Sequence, residues 1–202
     1  IRKHLVEYDD IMNAQRKGVY GRRQNALKGE RIGTDIANMS YEIAQQLSST
    51  FEGDYDAMNE EYQKKFALEL PFDREGYAKL NTAEVTDAIA DDLLDAIARN
   101  KERIVERAMP YVKDFIDVKG AKGMVGFPMA VGNKSMQLRT DLEEAYDTEG
   151  RSLAKDWEKT ALLRSIDKSW QQQLRDMDEL RHSVQNASYE QKNPLDIYRI
   201  EA

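Results

Sequence analysis

Apolar residues return at three- and four-residue steps along most of this 202-residue chain, the spacing of helices that each bury one stripe. Over residues 1–28 the stripe is Leu5, Tyr8, Met12, Val19 and Ala26 or Leu27. Gly29 and Gly33 punctuate it, and a second helix is predicted from Thr34 or Asp35 to about Thr50, carried by Ile36, Met39, Ile43 and Leu47. Gly53-Asp54 interrupts again, and Asp54 can cap a third helix that runs to Leu70 before Pro71. A loop follows from Phe72 to Leu80. Asn81 and Glu84 then have the spacing of a capping box, opening a helix on Val85, Ile89, Leu93, Ile97, Ile104 and Ala108. Pro110 is expected to kink or restart it near Tyr111, and it should stop before Gly120.

Residues 120–140 break the helical period. They hold four glycines, and Val131-Gly132-Asn133-Lys134 reads as a tight turn between two short extended arms, Met124 to Ala130 and Ser135 to Thr140. A lone hairpin is marginal in water, so this one must lie against helices or a partner. From Asp141 the helical period returns through Leu142, Ala145, Tyr146, Leu153, Trp157, Leu163, Ile166, Trp170, Leu174, Met177 and Leu180. Gly150 is its one weak point. If unbroken from 141 to 182, this helix is roughly 60 Å long at ~1.5 Å per residue. The polar stretch Ser183 to Lys192 ends it. Asn193-Pro194 restarts a helix on Leu195, Tyr198 and Ile200. The fold class is therefore mainly α: a long first helix, a helical middle with a small β-hairpin, and a long antiparallel helix hairpin.

Composition narrows the function. Charged residues make up 33% of the chain and hydrophobic ones 41%, with a mean hydropathy of −0.75, and no apolar run nears the ~18 residues of a membrane span. The opening IRKHLVEYDD turns polar too soon for a secretory leader, and a start on Ile1 in place of Met suggests a piece of a longer protein. No cysteine is present, which removes disulfides, thiolate metal sites and thiol nucleophiles. The net charge of −7 argues against a duplex-DNA partner. Residues 1–31 run against that trend, with eight basic and four acidic side chains. Their surplus is either a solvated helix surface or a docking face for an acidic partner.

Catalytic chemistry is hard to find. His4 and His182 lie far apart in sequence with no second histidine nearby, so no metal site of the usual kind is expected. Glu7, Asp9 and Asp10 form a carboxylate cluster, but Asp9 and Asp10 diverge by about 100° on a helix, and Arg2, Lys3 and Arg16 are at hand as ion partners. Neither GxxxxGK[ST], GxGxxG nor GxSxG occurs. The residues therefore describe a scaffold or interaction protein with no catalytic site, no cofactor site and no metal site. Trp157 and Trp170, on nearly the same helical face, read as packing anchors. Tyr189 stands among Ser188, Glu190 and Gln191 in the polar turn of the helix hairpin. It either folds back onto the hairpin or serves as a contact residue, since an amphipathic ring grips many surfaces at low entropic cost.

Three stretches share a resemblance. IRKHLVEYDDIMNAQRKGVYGRRQNAL (1–27) follows the pattern RKxLLEYDDVMNxQRxxIYxxR, LLRSIDKSWQQQLRDMDELR (162–181) follows LLxxIDxxWxxHLxxMDxLR, and SYEQKNPLDIYRIE (188–201) follows GYxQKDPLxEYKxES. In this order they resemble the C-terminal helical part of the SecA family, the motor ATPases of bacterial protein export. That resemblance covers the whole chain and implies three regions: 1–29 as the first part of the helical scaffold domain, 30–140 as a helical wing domain with its hairpin at about 124–140, and 141–202 as the second part of the scaffold with a two-helix finger. Tyr189, with Ser188, Glu190 and Gln191, would be the fingertip that contacts the polypeptide in transit. Arg2, Glu7, Tyr8, Asp9, Asp10, Asn13, Gln15 and Arg16 would dock the scaffold helix on other domains. Trp157, Ile166, Trp170, Leu174 and Met177 would pack the finger.

The resemblance further implies that ATP and Mg²⁺ belong to nucleotide-binding domains outside residues 1–202. Expected partners are those domains, the preprotein cross-linking domain of the same chain, the Sec channel complex and exported preproteins. The expected location is cytoplasmic and peripheral at the inner face of the bacterial plasma membrane. Two positions depart from the family pattern: its histidine in WxxHL is Gln173 here, and its arginine before the tip aromatic is replaced within Asn186-Ala187-Ser188. The rival reading is a free-standing helical adaptor that binds an acidic partner through the 1–31 basic face.

Overall fold

In the computed structural model, described over residues 2–131, 134–186 and 194–201, the chain forms α1 (Arg2–Lys28), α2 (Ile32–Thr50), α3 (Tyr55–Phe66), α4 (Arg74–Tyr77), α5 (Thr82–Lys113), a π-helical turn (Asp114–Val118), β1 (Met124–Val131), β2 (Lys134–Asp141), α6 (Leu142–Asp147), α7 (Arg151–Asn186) and α8 (Pro194–Glu201). It divides into two compact units, residues 1–30 with 158–202, and residues 31–157.

The 31–157 unit has two apolar clusters. In the first, Ala44 and Leu47 of α2, Met58 and Tyr62 of α3, and Val85, Ile89 and Leu93 of α5 are buried together with Leu70. The α5 stripe Val85, Ile89 and Leu93 is the face that meets its neighbours, whereas α2 departs from its expected stripe: Met39 is exposed, and Ser40, Ala44, Leu47 and Ser48 are the buried positions. A buried Ser48–Thr86 hydroxyl pair at 2.6 Å bridges α2 and α5, with Thr86 also donating to the Thr82 carbonyl. Asn81 accepts from the Glu84 N–H at 3.0 Å while the Glu84 carboxylate accepts from the Asn81 N–H at 2.8 Å. This is the reciprocal cap that the spacing predicts.

Three boundaries differ from the sequence pattern. α3 ends at Phe66, four residues early, because Ala67 takes a left-handed φ of 55° and the Leu70 N–H turns back to the Asn59 side chain. Past that reversal Leu70 is buried in the same cluster as Met58 and Tyr62. The 72–80 loop contains α4, capped by the Asp73 carboxylate accepting from the Gly76 N–H. Pro110 does not stop α5, which runs on to Lys113 and passes into the π turn. Pro110 is exposed, so the carbonyl that its missing N–H leaves unpaired can be met by water.

Tyr62 is fully buried and donates its hydroxyl to Asp92 at 2.6 Å. Burial first, and the neighbouring carboxylate second, raise its ionisation well above the ordinary range. The unfolded phenol loses its proton near pH ~10, whereas the folded one keeps it. The stability tied to Tyr62 is thus fully present below pH ~10 and is lost as pH rises beyond it. Tyr62→Phe should therefore flatten the alkaline fall in unfolding free energy and cost about 1–2 kcal/mol at pH 7. Urea unfolding between neutral and alkaline pH measures both effects.

The second cluster seats the hairpin. β1 and β2 pair antiparallel with Met124 opposite Asp141 and Val131 opposite Lys134. Alternation places Val125, Phe127, Leu138 and Thr140 on one face, where Leu138 and Thr140 are fully buried. That face packs on Ala108 and Val112 of α5, Leu142 and Ala145 of α6, and Leu153 and Trp157 of α7. The hairpin thus lies against helices of its own unit, as a two-stranded sheet requires.

A single helix over 141–182 is not formed. It divides at Thr148–Gly150, where Glu149 and Gly150 both have positive φ and the Gly150 N–H bonds the Ala145 carbonyl at 2.8 Å. Gly150 is therefore a terminator. α7 instead runs for 36 residues, roughly 54 Å at ~1.5 Å per residue. It also ends later than the polar stretch from Ser183 suggests, because Val184 is buried.

Candidate functional site

In the unit made of residues 1–30 and 158–202, α1 sorts its residues into two faces. Ile11, Met12, Gln15, Val19, Arg23 and Ala26 lie half-buried or buried, at steps of three, four or one. Asp9, Asp10, Asn13, Arg16 and Lys17 are exposed. The inward face meets a core formed by Met177, Leu180 and Val184 of α7 with Leu195, Ile197 and Tyr198 of α8, to which Ile11 and Met12 contribute. Tyr198 and Val184 are almost wholly buried. Gly29, at φ 75°, ends α1 with the Gly29 N–H on Ala26 and the Glu30 N–H on Asn25, a Schellman closure.

Two polar contacts set α1 against α7 along this face. The Arg23 Nε donates to Asp167 at 2.8 Å, and that carboxylate raises the guanidinium pKa above its ordinary value. Both side chains are about two-fifths exposed, so the pair serves register more than stability. Gln173 Nε2 donates to Gln15 Oε1 at 3.4 Å; Gln173 is the position where the family pattern has histidine. Val19, Tyr20, Arg23 and Leu27 with Asp167 and Trp170 line a shallow cleft of about 480 Å³.

The residues singled out from sequence are distributed as follows. Asp9, Asp10, Asn13 and Arg16 stand exposed on the outer face of α1, where Arg16 donates to Asn13 at 3.2 Å. Gln15 turns inward to Gln173. Arg2, Glu7 and Tyr8 lie on α1 by backbone. On α7, Met177 is buried in the core while Ile166, Trp170 and Leu174 are half-buried. Trp157 packs in the hairpin cluster of the other unit. Ser188, Tyr189, Glu190 and Gln191 lie outside the described residues. Sequence reading missed the Arg23–Asp167 and Gln15–Gln173 contacts, whose partners are 144 and 158 residues apart and leave no local signal. It also missed Val184, although its seven-residue step from Met177 was available.

Among the described residues, no three His, Asp or Glu side chains come together as a possible metal-holding group, and no helix is long and apolar enough to cross a membrane. The chemistry on offer is polar docking along one face of α1 and apolar closure of α7 on α8.

Comparison with known proteins gives this arrangement its relatives. The family model of the SecA Wing and Scaffold domain matches residues 1–202. The Protein translocase subunit SecA of Parabacteroides distasonis is 39% identical over 203 residues, and that of Porphyromonas gingivalis W83 is 40% identical over 205. The Christiangramia forsetii protein of the same name is 38% identical over 205 residues. Each alignment covers all of this chain and 18% of the relative, so the chain spans less than a fifth of the length of these proteins. No solved structure matches it.

Proposed function

Because the chain belongs to the SecA wing and scaffold family, we propose that it is the mechanical, non-catalytic part of a protein-export motor. It couples ATP-driven motion of neighbouring domains to a preprotein at the Sec channel. The observation that carries this reading is the two-faced α1: one face locked on α7 and α8, the other presenting Asp9, Asp10, Asn13 and Arg16 outward. An inward face that fixes register and an outward polar row suit a helix that hands displacement from one body to another.

In this reading α1 takes its load from the preprotein cross-linking domain and from the nucleotide-binding domains, which hold ATP and Mg²⁺; all of these lie outside residues 1–202. α7 and α8, closed by Met177, Val184, Leu195 and Tyr198, flank residues 187–193, which meet the polypeptide. Tyr189 supplies a contact that tolerates many sequences, with Ser188, Glu190 and Gln191 beside it. The protein works at the cytoplasmic face of the plasma membrane, held there by the channel complex. Tyr189→Ala in the intact protein should reduce ATP-driven transport into membrane vesicles severalfold and leave basal ATP turnover within about twofold. Unchanged transport would refute the fingertip role.

A further inference from the structure

The 31–157 unit carries 25 acidic against 16 basic side chains, a net −9. On this acidic body one groove of about 1040 Å³ is lined by three cations, Lys65, Arg103 and Arg107, and by no carboxylate. Its floor is aromatic: Phe66, Phe115, Phe127 and Trp157, with Phe115 and Phe127 edge to face at 6.3 Å. Asn100, Arg103, Ile104, Arg107, Ala108 and Tyr111 form its wall as one continuous stripe of α5. Both arginines are exposed, and the Tyr111 ring is 63% exposed. Lys65 is answered by Glu61 at 3.0 Å, and Arg103 donates only to the neutral Asn100 amide at 3.4 Å, so among the described residues Arg103 and Arg107 are the groove's charges without a carboxylate partner.

The remaining wall is the strand β1, from Val125 to Pro128. The Leu142 N–H bonds the Gly123 carbonyl, and the register pairs Met124 with Asp141. Antiparallel alternation then puts Val125 and Phe127 in hydrogen-bonded pairs, whereas the N–H and C=O of Met124 and Gly126 point away from β2. Pro128 has no N–H, so the usable edge is short. A strand edge offering backbone donors and acceptors, an aromatic floor and two guanidiniums together fit a peptide.

We propose that this groove receives an extended acidic segment of another polypeptide, laid along β1 with a large apolar side chain on the aromatic floor and carboxylates on Arg103 and Arg107. Nucleic acid is disfavoured because two open cations on a body of net −9 cannot balance a phosphate backbone. The inference rests on the 31–157 unit alone and stands or falls apart from the export reading.

The test uses the full-length protein and a short fluorescent peptide of alternating Asp and Phe, read by anisotropy. Its Lys-for-Asp counterpart and an oligothymidylate of similar length are run beside it. The acidic peptide should bind. Arg103→Glu with Arg107→Glu should weaken it by ~10-fold or more, since both charge contacts become repulsive, while the thermal transition holds because both side chains are exposed. Hydrogen exchange at the Gly126 amide should slow in the complex. No binding, equal binding of the lysine peptide or the oligonucleotide, indifference to the double substitution, or an unprotected Gly126 amide would each overturn the proposal.

Discussion

Gly150→Ala is expected to destabilise the 31–157 unit by about 2–5 kcal/mol, combining a left-handed backbone penalty of ~1–2 kcal/mol with overpacking of ~1–3 kcal/mol. Gly150 sits at φ 85°, and an added Cβ would fall 2.5 Å from Val105 Cγ1 and 3.2 Å from Met109. Val105 is β-branched on a helix and has almost no alternative rotamer to retreat into. Gly53, at φ 79° with nothing within 4 Å of its would-be Cβ, is the control. Gly53→Ala should cost only the backbone share. Val105→Ala should restore part of what Gly150→Ala loses. Thermal or urea unfolding measures all three, and equal effects at Gly53 and Gly150 would show that close approach to α5 is not what selects the glycine.

Tyr198→Ala should cost about 3–5 kcal/mol in the other unit, the loss expected for a large buried aromatic. Tyr198 is 1% exposed and shares its core with Met177, Val184 and Leu195. α8 has only eight residues, too few to persist as a helix without tertiary packing. The expected readout is therefore local as well as global: amides of Leu195–Glu201 exchange rapidly in the variant, while those of α2 and α5 keep their protection. Ile200 is 85% exposed, so Ile200→Ala should leave α8 in place.

Much of this architecture is written locally. The Asn81–Glu84 cap, the stripe Val85, Ile89 and Leu93, the hairpin at 124–141 and the restart at Pro194 each follow from residues within a few positions of one another. Where the pattern misled, a tertiary contact decided the outcome. Gly150 read as a weak residue inside one long helix, but its close approach to Val105 makes it the point where two helices part. Leu70 read as the end of α3, but Ala67 takes a left-handed φ of 55° and the Leu70 N–H turns back to the Asn59 side chain. Pro110 reads as a kink or restart near Tyr111, yet α5 runs through it without restarting, its affected face being solvated, and the helical run ends before Gly120 as expected.

The candidate site was legible in part. The three motif stretches identified the family that the comparisons establish, and the outward row Asp9, Asp10, Asn13 and Arg16 follows from helical spacing. The contacts that hold α1 to α7, Arg23 with Asp167 and Gln15 with Gln173, join residues far apart in sequence and become visible only once the helices are paired. Arg103 and Arg107 were equally hidden. A pair of arginines four apart on a charged helix is unremarkable in sequence, and it gains meaning only from the aromatic floor that α3, β1 and α7 bring beside it.

In the proposed function this chain delivers motion to a polypeptide through residues 187–193. A photo-cross-linking amino acid in place of Tyr189 in the intact protein, irradiated during ATP-driven transport, tests it most directly. The account predicts adducts with the polypeptide in transit that appear only when ATP is turning over. Adducts confined to the protein's own chain, or adducts of equal yield without nucleotide, would contradict it.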